Sequence, residues 1–224
     1  MTFLIASGDM IELALALIIF GIWKISVGKN YKIGFTKKEL FLDLRDFGWS
    51  ALLIVIFVML GNILGVYPFD RIPSTEEMLQ KIFGEYLLLS IVEEIAFRGI
   101  IQNVLENSLF SYKKKEAHVR AILTTALLIG FGTIFLNLDK TPIYVLGLFL
   151  LTVAEALYLG GLYAKTGNLL VAIIAHIVLS LGDFVFLFSA TTDTPRISMC
   201  IQIALYIMLG AHGIFMAGMK SNME

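Results

Sequence analysis

Cysteine is almost missing from these 224 residues: Cys200 stands alone. An internal disulfide framework is therefore excluded, and so is any CxxC or Cys/His zinc pattern. Charge is scarce as well. Charged residues make up 16% of the chain, against roughly 25% in an ordinary soluble domain. The net charge of −1 gives no electrostatic footprint for nucleic acid, so no nucleic-acid partner is expected. There is no P-loop, GxGxxG or HExxH, and no internal repeat, low-complexity tract or heptad pattern. Apolar side chain is what the chain has in abundance, at 58%, above the roughly 45–50% of soluble proteins. A single soluble core cannot absorb that excess. The solvent implied is lipid, which sets aside disordered, collagenous, disulfide-scaffold and soluble-enzyme classes.

A spanning helix needs about 20 mostly apolar residues, because the hydrocarbon core is about 30 Å thick. Seven runs meet this: 8–27, 48–67, 82–108, 121–138, 142–163, 168–189 and 197–218. Between them lie turn-forming segments, among them Pro68 to Pro73, Leu138 to Pro142, Lys165 to Asn168 and Thr191 to Pro195. The expected fold is all-α: a polytopic bundle of about seven transmembrane helices in one domain, residues 1–224.

The basic residues divide unevenly across this map. One side carries Lys24, Lys29, Lys32, Lys37, Lys38, Arg45, Lys113, Lys114, Lys115, Arg120, Lys165 and Lys220. The other carries only Arg71, Lys81, Lys140 and Arg196. The asymmetry predicts an N-terminus outside and a C-terminus in the cytoplasm. Asp9 and Glu12 precede the first apolar run without a basic n-region, so a cleaved secretory signal is not expected. Residues 33–47 are too polar to span. Ile33, Phe35, Leu40, Phe41, Leu44 and Phe47 fall largely on one helical stripe, with Thr36 and Glu39 spaced as a capping box. This reads as a cytoplasmic amphipathic helix in the interface, or as a segment packed on the bundle.

Several spans carry ionisable groups where lipid should be. An ionised side chain at the bilayer centre costs several kcal/mol, with about 2.5–3.5 the low figure. Glu93, Glu94 and Arg98 sit on the third run, Glu155 on the fifth, His176 and Asp183 on the sixth and His212 on the seventh. Glu94 and Arg98, at i and i+4, can neutralise each other. Glu93 points roughly 100° away and is left to find a partner on another helix or to serve as a general base for water. The bland alternative is a Glu–Arg pair that only locks helices together. Glu155 suits either a shared cavity or a pair with a neighbouring helix. Asp183 suits either the site or the interface. His212 reads as a packing histidine, and His118 as a solvated residue of a basic loop against anionic lipid. Gly130, Gly132, Gly160 and Gly161 would let helices approach closely.

The stretch EEIAFRGIIQNVLE, Glu93 to Glu106, resembles the EExxxR motif of the CPBP intramembrane proteases, the CAAX-protease and bacteriocin-processing (Abi or Rce1-like) group. Phe97, Gly99, Gln102 and Asn103 fit its fuller form. Phe131 to Phe135 sits where the family has FxxxH, and Lys165 to His176 looks like its approach to HxxxN. The resemblance covers roughly residues 80–190. It implies a membrane endopeptidase in which Glu93 and the FxxxH histidine activate water. Glu94 and Arg98 would support them, and His176, from HxxxN, would donate to the oxyanion. Phe135 occupies the place of the water-activating histidine, and Ser180 that of the oxyanion asparagine. Asn137, two residues on but roughly 200° around the helix from Phe135, and Asn103 on the motif helix are polar candidates to substitute.

The expected partners are membrane lipid and a membrane-associated peptide or protein, in a bacterial plasma membrane. No metal or other cofactor is expected, since only Glu93 and His176 match positions that could ligate one and catalytic zinc usually takes three protein ligands. Two other functions compete. One is a catalytically silent relative acting as a scaffold or immunity-type binding protein, which Phe135 favours. The other is a small transporter or proton channel relaying through Glu93, Glu94 and Glu155, which the lack of inverted repeats disfavours. In the expected bundle, Glu93, His176 and Phe135 line one pocket.

Overall fold

Pro142 opens a helix, where its missing N–H breaks no intrahelical bond, and Thr141 before it is extended. The same helix ends on Gly167, whose φ of 64° is the left-handed conformation; its N–H closes on the Tyr163 carbonyl at 2.7 Å. Asn168 caps the helix that follows, its Oδ1 accepting from the Leu170 N–H at 3.2 Å. Local turn chemistry thus fixes a tight corner between two long apolar helices.

The computed structural model describes residues 34, 40, 43–45, 47, 74, 76, 79, 80, 83, 86–110, 114–189 and 195–221. Regular structure among the described residues is all helical. Helix α1 covers Leu87–Glu94 and continues in π-helical turns over Ile95–Gln102 and Leu105–Leu109. It is followed by α2 (Lys114–Leu136), α3 (Pro142–Thr166), α4 (Leu169–Ser189) and α5 (Pro195–Ser221). The runs expected at 82–108, 121–138, 142–163, 168–189 and 197–218 fall on these helices in order. Those at 8–27 and 48–67 lie outside the described residues. Among the described residues, three stretches are long and apolar enough to cross a membrane: Glu116–Leu136, Pro142–Thr166 and Gln202–Met219. Leu169–Ser180 is a shorter apolar stretch.

Helix α3 is the centre of the bundle. It packs extensively on α5 and α2, while α1 packs on α4. Tyr158, Leu159 and Leu162 of α3 are buried with Val171, Ala175 and Leu179 of α4 and Leu205, Leu209 and Met216 of α5. Close approach of α3 and α5 depends on small residues. A Cβ built on Gly161 would fall on the Gly213 backbone carbonyl, and one on Gly213 would meet the backbone of Leu157 and Tyr158. Gly130 faces Val153 and Phe149, and Gly160 faces Gln102 and Ile122, whereas a Cβ on Gly132 meets open space. Gly132 therefore has no part in the close packing expected of it. Gly161→Ala is expected to destabilise by about 1–3 kcal/mol through overpacking, and Gly132→Ala to change stability little. Melting temperatures of the two variants in one detergent check this; equal values would remove the backbone-contact argument.

Of residues 33–47, Leu40, 43–45 and Phe47 are described as helical, and Thr36 and Glu39 lie outside the described residues. Phe47 is buried and Leu40 and Leu44 pack on the same core, while Arg45 is exposed. At these positions the apolar stripe faces the bundle. The segment is tied to the α3–α4 corner: the Leu169 N–H donates to Gly34 O at 2.9 Å, and Asn168 Nδ2 to Asp43 Oδ2 at 3.0 Å.

Candidate active site

Glu93 and Glu94 are consecutive, so a helix must send them in different directions, and their burial follows. The Glu94 side chain is fully buried at 0% exposure, while that of Glu93 is 37% exposed. Arg98 follows Glu94 by four residues and is 2% exposed. Its Nε lies 3.3 Å from Glu94 Oε2. Its Nη2 donates to the Ala156 carbonyl of α3 at 3.2 Å. One turn on, Gln102 Nε2 donates to Gly160 O at 3.1 Å. Two side chains of the α1 continuation thus hold successive turns of α3 by its backbone. The π-helical turns begin at Ile95, directly after the carboxylates; such widened turns are rare and recur at functional sites.

Helix α4 brings a histidine to both carboxylates. His176 Nδ1 lies 3.0 Å from Glu94 Oε1, and Nε2 lies 3.6 Å from Glu93 Oε2 and 3.9 Å from Glu155 Oε1 of α3. A carboxylate already paired with Arg98 only accepts, which assigns a proton to Nδ1. The remaining nitrogen, Nε2, is then turned toward the two less buried carboxylates. Fixing one ring nitrogen to orient the other is the usual way a protein sets a histidine for chemistry. Glu93, Glu94, Arg98, Glu155 and His176 therefore form one polar cluster from three helices. Ser180 follows His176 by one turn of α4 and is half-buried.

Other candidates stand elsewhere. Phe135 is not among the side chains meeting at His176; it lies at the end of α2 and is 73% exposed. Neither asparagine offers its amide to the cluster. Asn137 Nδ2 donates to Thr133 O at 2.9 Å, and Asn103 Nδ2 to Gly99 O at 3.0 Å and Tyr163 Oη at 2.8 Å. Asp183 lies on α4 with its side chain outside the described residues. His212, expected to pack, is exposed, its ring stacked near Phe215. His118, expected in solvent, is buried at 5% exposure with Nδ1 2.8 Å from Glu106 Oε1. The basic run around it suggested a loop, but residues 114–120 already belong to α2, and the first turns of that helix pack on the α1 continuation. Ser90, buried one turn before Glu94, was missed; its signal is a hydroxyl four residues ahead of an acid in an apolar helix. Among the described residues, no three His, Cys, Asp or Glu side chains are grouped so as to hold a metal ion.

Chemically, the cluster offers a carboxylate with solvent access, a histidine held in orientation and a second carboxylate near the same nitrogen. Residues 75–182, which contain the whole cluster, match the family model described as type II CAAX prenyl endopeptidase Rce1-like. No curated protein and no solved structure matches the chain.

Proposed function

Since residues 75–182 belong to the Rce1-like family within the CPBP group, we propose that this integral membrane protein is a glutamate-dependent endopeptidase that hydrolyses a membrane-associated peptide or protein. Glu93 takes the proton of the attacking water. Its carboxylate is the most exposed acid of the cluster and sits 3.6 Å from His176 Nε2, and that approach is the observation that carries the reading. Water adds to the scissile carbonyl, the oxygen becomes an oxyanion, and His176 Nε2 donates to it. Nδ1 already donates to Glu94, so this role uses the imidazolium form, a cation set against the Glu93 and Glu94 carboxylates. Oxyanion donors are worth roughly 10²–10³ in rate elsewhere. Ser180, one turn away, adds a second, weaker donor. Glu94 and Arg98 act through His176 and through the α1–α3 packing, as positioning residues.

The test is cleavage of a fluorescence-quenched peptide library by the purified protein in lipid nanodiscs, with Glu93→Ala as control. Cleavage by the wild type that the control lacks supports the reading. Absence of cleavage by both removes it in favour of a silent binding relative, and equal cleavage removes it by showing hydrolysis without Glu93.

The proposed setting is one membrane domain of about seven spans, with an amphipathic helix at 33–47, in a bacterial plasma membrane. The N-terminus is outside and the C-terminus cytoplasmic, on the strength of the basic-residue asymmetry. Single cysteines introduced at Lys114 and at Lys140, in a Cys200→Ser background, test the orientation. A membrane-impermeant maleimide added to intact cells is expected to label position 140 and spare 114. The reverse pattern would invert the topology.

A further inference from the structure

We propose that Glu155 is the second acid–base group of this site, the donor of a proton to the leaving amine; the inference rests on the hydrolytic reading above. Hydrolysis of an amide needs two proton transfers, because an amide nitrogen cannot leave as an anion near neutral pH. One carboxylate can perform both only by moving between the water and the nitrogen. Two carboxylates that converge from different helices can divide the work.

The geometry fits that division. Glu93 Oε2 and Glu155 Oε1 lie 3.6 Å and 3.9 Å from the same atom, His176 Nε2. The two oxygens can therefore be no further apart than the sum of those distances, so both carboxylates meet at one ring nitrogen. Glu93 comes from α1 and Glu155 from α3, so they flank the ring edge from separate supports. Glu155 is also held in register: the carbonyl of the next residue, Ala156, accepts from Arg98, and Gly160 O accepts from Gln102. The same arginine that pairs Glu94 thus fixes where Glu155 stands relative to Glu93. Exposure differs in the useful sense. The Glu93 side chain is 37% exposed and takes water from the aqueous side, whereas Glu155, at 19%, is more sheltered from exchange with bulk solvent. The charged groups around Glu155 in the cluster are His176, Glu93, Glu94 and Arg98.

The step balances as follows. Glu93 carboxylate accepts one proton from water as the oxygen bonds to the carbonyl carbon. The carbon–nitrogen bond breaks as the Glu155 carboxyl gives its proton to nitrogen. The products are a carboxylic acid and an amine, and passage of the proton from Glu93 to Glu155 restores the starting state.

The experiment is steady-state cleavage of the most rapidly cut library peptide by wild type, Glu155→Gln, Glu155→Asp and Glu93→Ala in nanodiscs, with melting temperatures measured alongside. Glu155→Gln is expected to lower kcat on the peptide about 10²-fold or more, with little change in KM, and to spare a p-nitrophenyl ester of the same acyl segment, whose leaving group needs no proton. Glu155→Asp is expected to restore part of the peptide rate. Glu155→Gln peptide activity within threefold of wild type overturns the proposal. An equal loss on peptide and ester also overturns it, since a mere counter-charge to His176 would act that way. Should Glu155→Gln fail to fold, equal losses on the two substrates by Glu155→Asp overturn it. If the wild type cleaves and Glu93→Ala does not, a silent Glu155 leaves the hydrolytic reading standing. If the wild type cleaves nothing, both fail together.

Discussion

Glu93→Gln is expected to lower kcat/KM for library peptides by roughly 10²–10⁴-fold while leaving the melting temperature nearly unchanged. Glutamine keeps the shape of the side chain and removes its ability to accept the proton of water. The Glu93 side chain is 37% exposed, and His176 retains its 3.0 Å contact with Glu94 when Glu93 is neutral. The rate and the stability should therefore separate, which a structural role for Glu93 would not allow. Parallel cleavage assays and thermal melts make the comparison. A variant with wild-type kcat/KM would end the glutamate mechanism, and a variant that melts far lower would recast Glu93 as a packing group.

Arg98→Ala is expected to do the opposite, destabilising the fold by about 3–5 kcal/mol, the cost of leaving a buried charge without its partner. Glu94 is fully buried and would lose the guanidinium 3.3 Å away, while the Ala156 carbonyl would lose its donor. For a chain of this length such a loss corresponds to a fall on the order of 10 °C in Tm. Arg98→Lys should lie between, because an ammonium keeps the charge but cannot reach Glu94 and the Ala156 carbonyl with a rigid fork. The double variant Glu94→Gln/Arg98→Met should melt higher than Arg98→Ala alone, since removing both charges leaves neither stranded. Thermal melts of the three variants decide it. An Arg98→Ala protein as stable as the wild type would mean that Glu94 is compensated by His176 alone.

The helical character and several helix ends were legible because they depend on local chemistry. Pro142 at a first turn, Gly167 at a left-handed ending and Asn168 as a cap act within a few residues of themselves. The Glu94–Arg98 pair was legible for the same reason, being an i, i+4 neighbour on one helix. Reading fared worse where a residue's surroundings come from another element. His118 stands in a lysine-rich stretch that reads as solvated, yet Glu106, twelve residues earlier on another helix, buries it. His212 sits in an apolar helix that reads as packed, yet its face of α5 is exposed. Phe135 illustrates the same limit: the aligned position is readable, but the direction its ring takes at the end of α2 is not.

By itself the sequence determined the solvent and the chemistry-bearing helix. With 58% apolar residues and 16% charged, the chain has to lie in lipid, and the carboxylates and arginine gathered at Glu93, Glu94 and Arg98 have to be compensated there. Both conclusions follow from desolvation cost, which depends on residue type and helical spacing alone. Which groups provide the compensation was decided by the tertiary structure. Packing of α1 on α4 brought in His176, and two backbone carbonyls of α3 held by Arg98 and Gln102 brought in Glu155. Those contacts join residues from 21 to 83 positions apart on different helices, and only the crossing of those helices, with Gly160 packed against Gln102, puts them within reach of one imidazole.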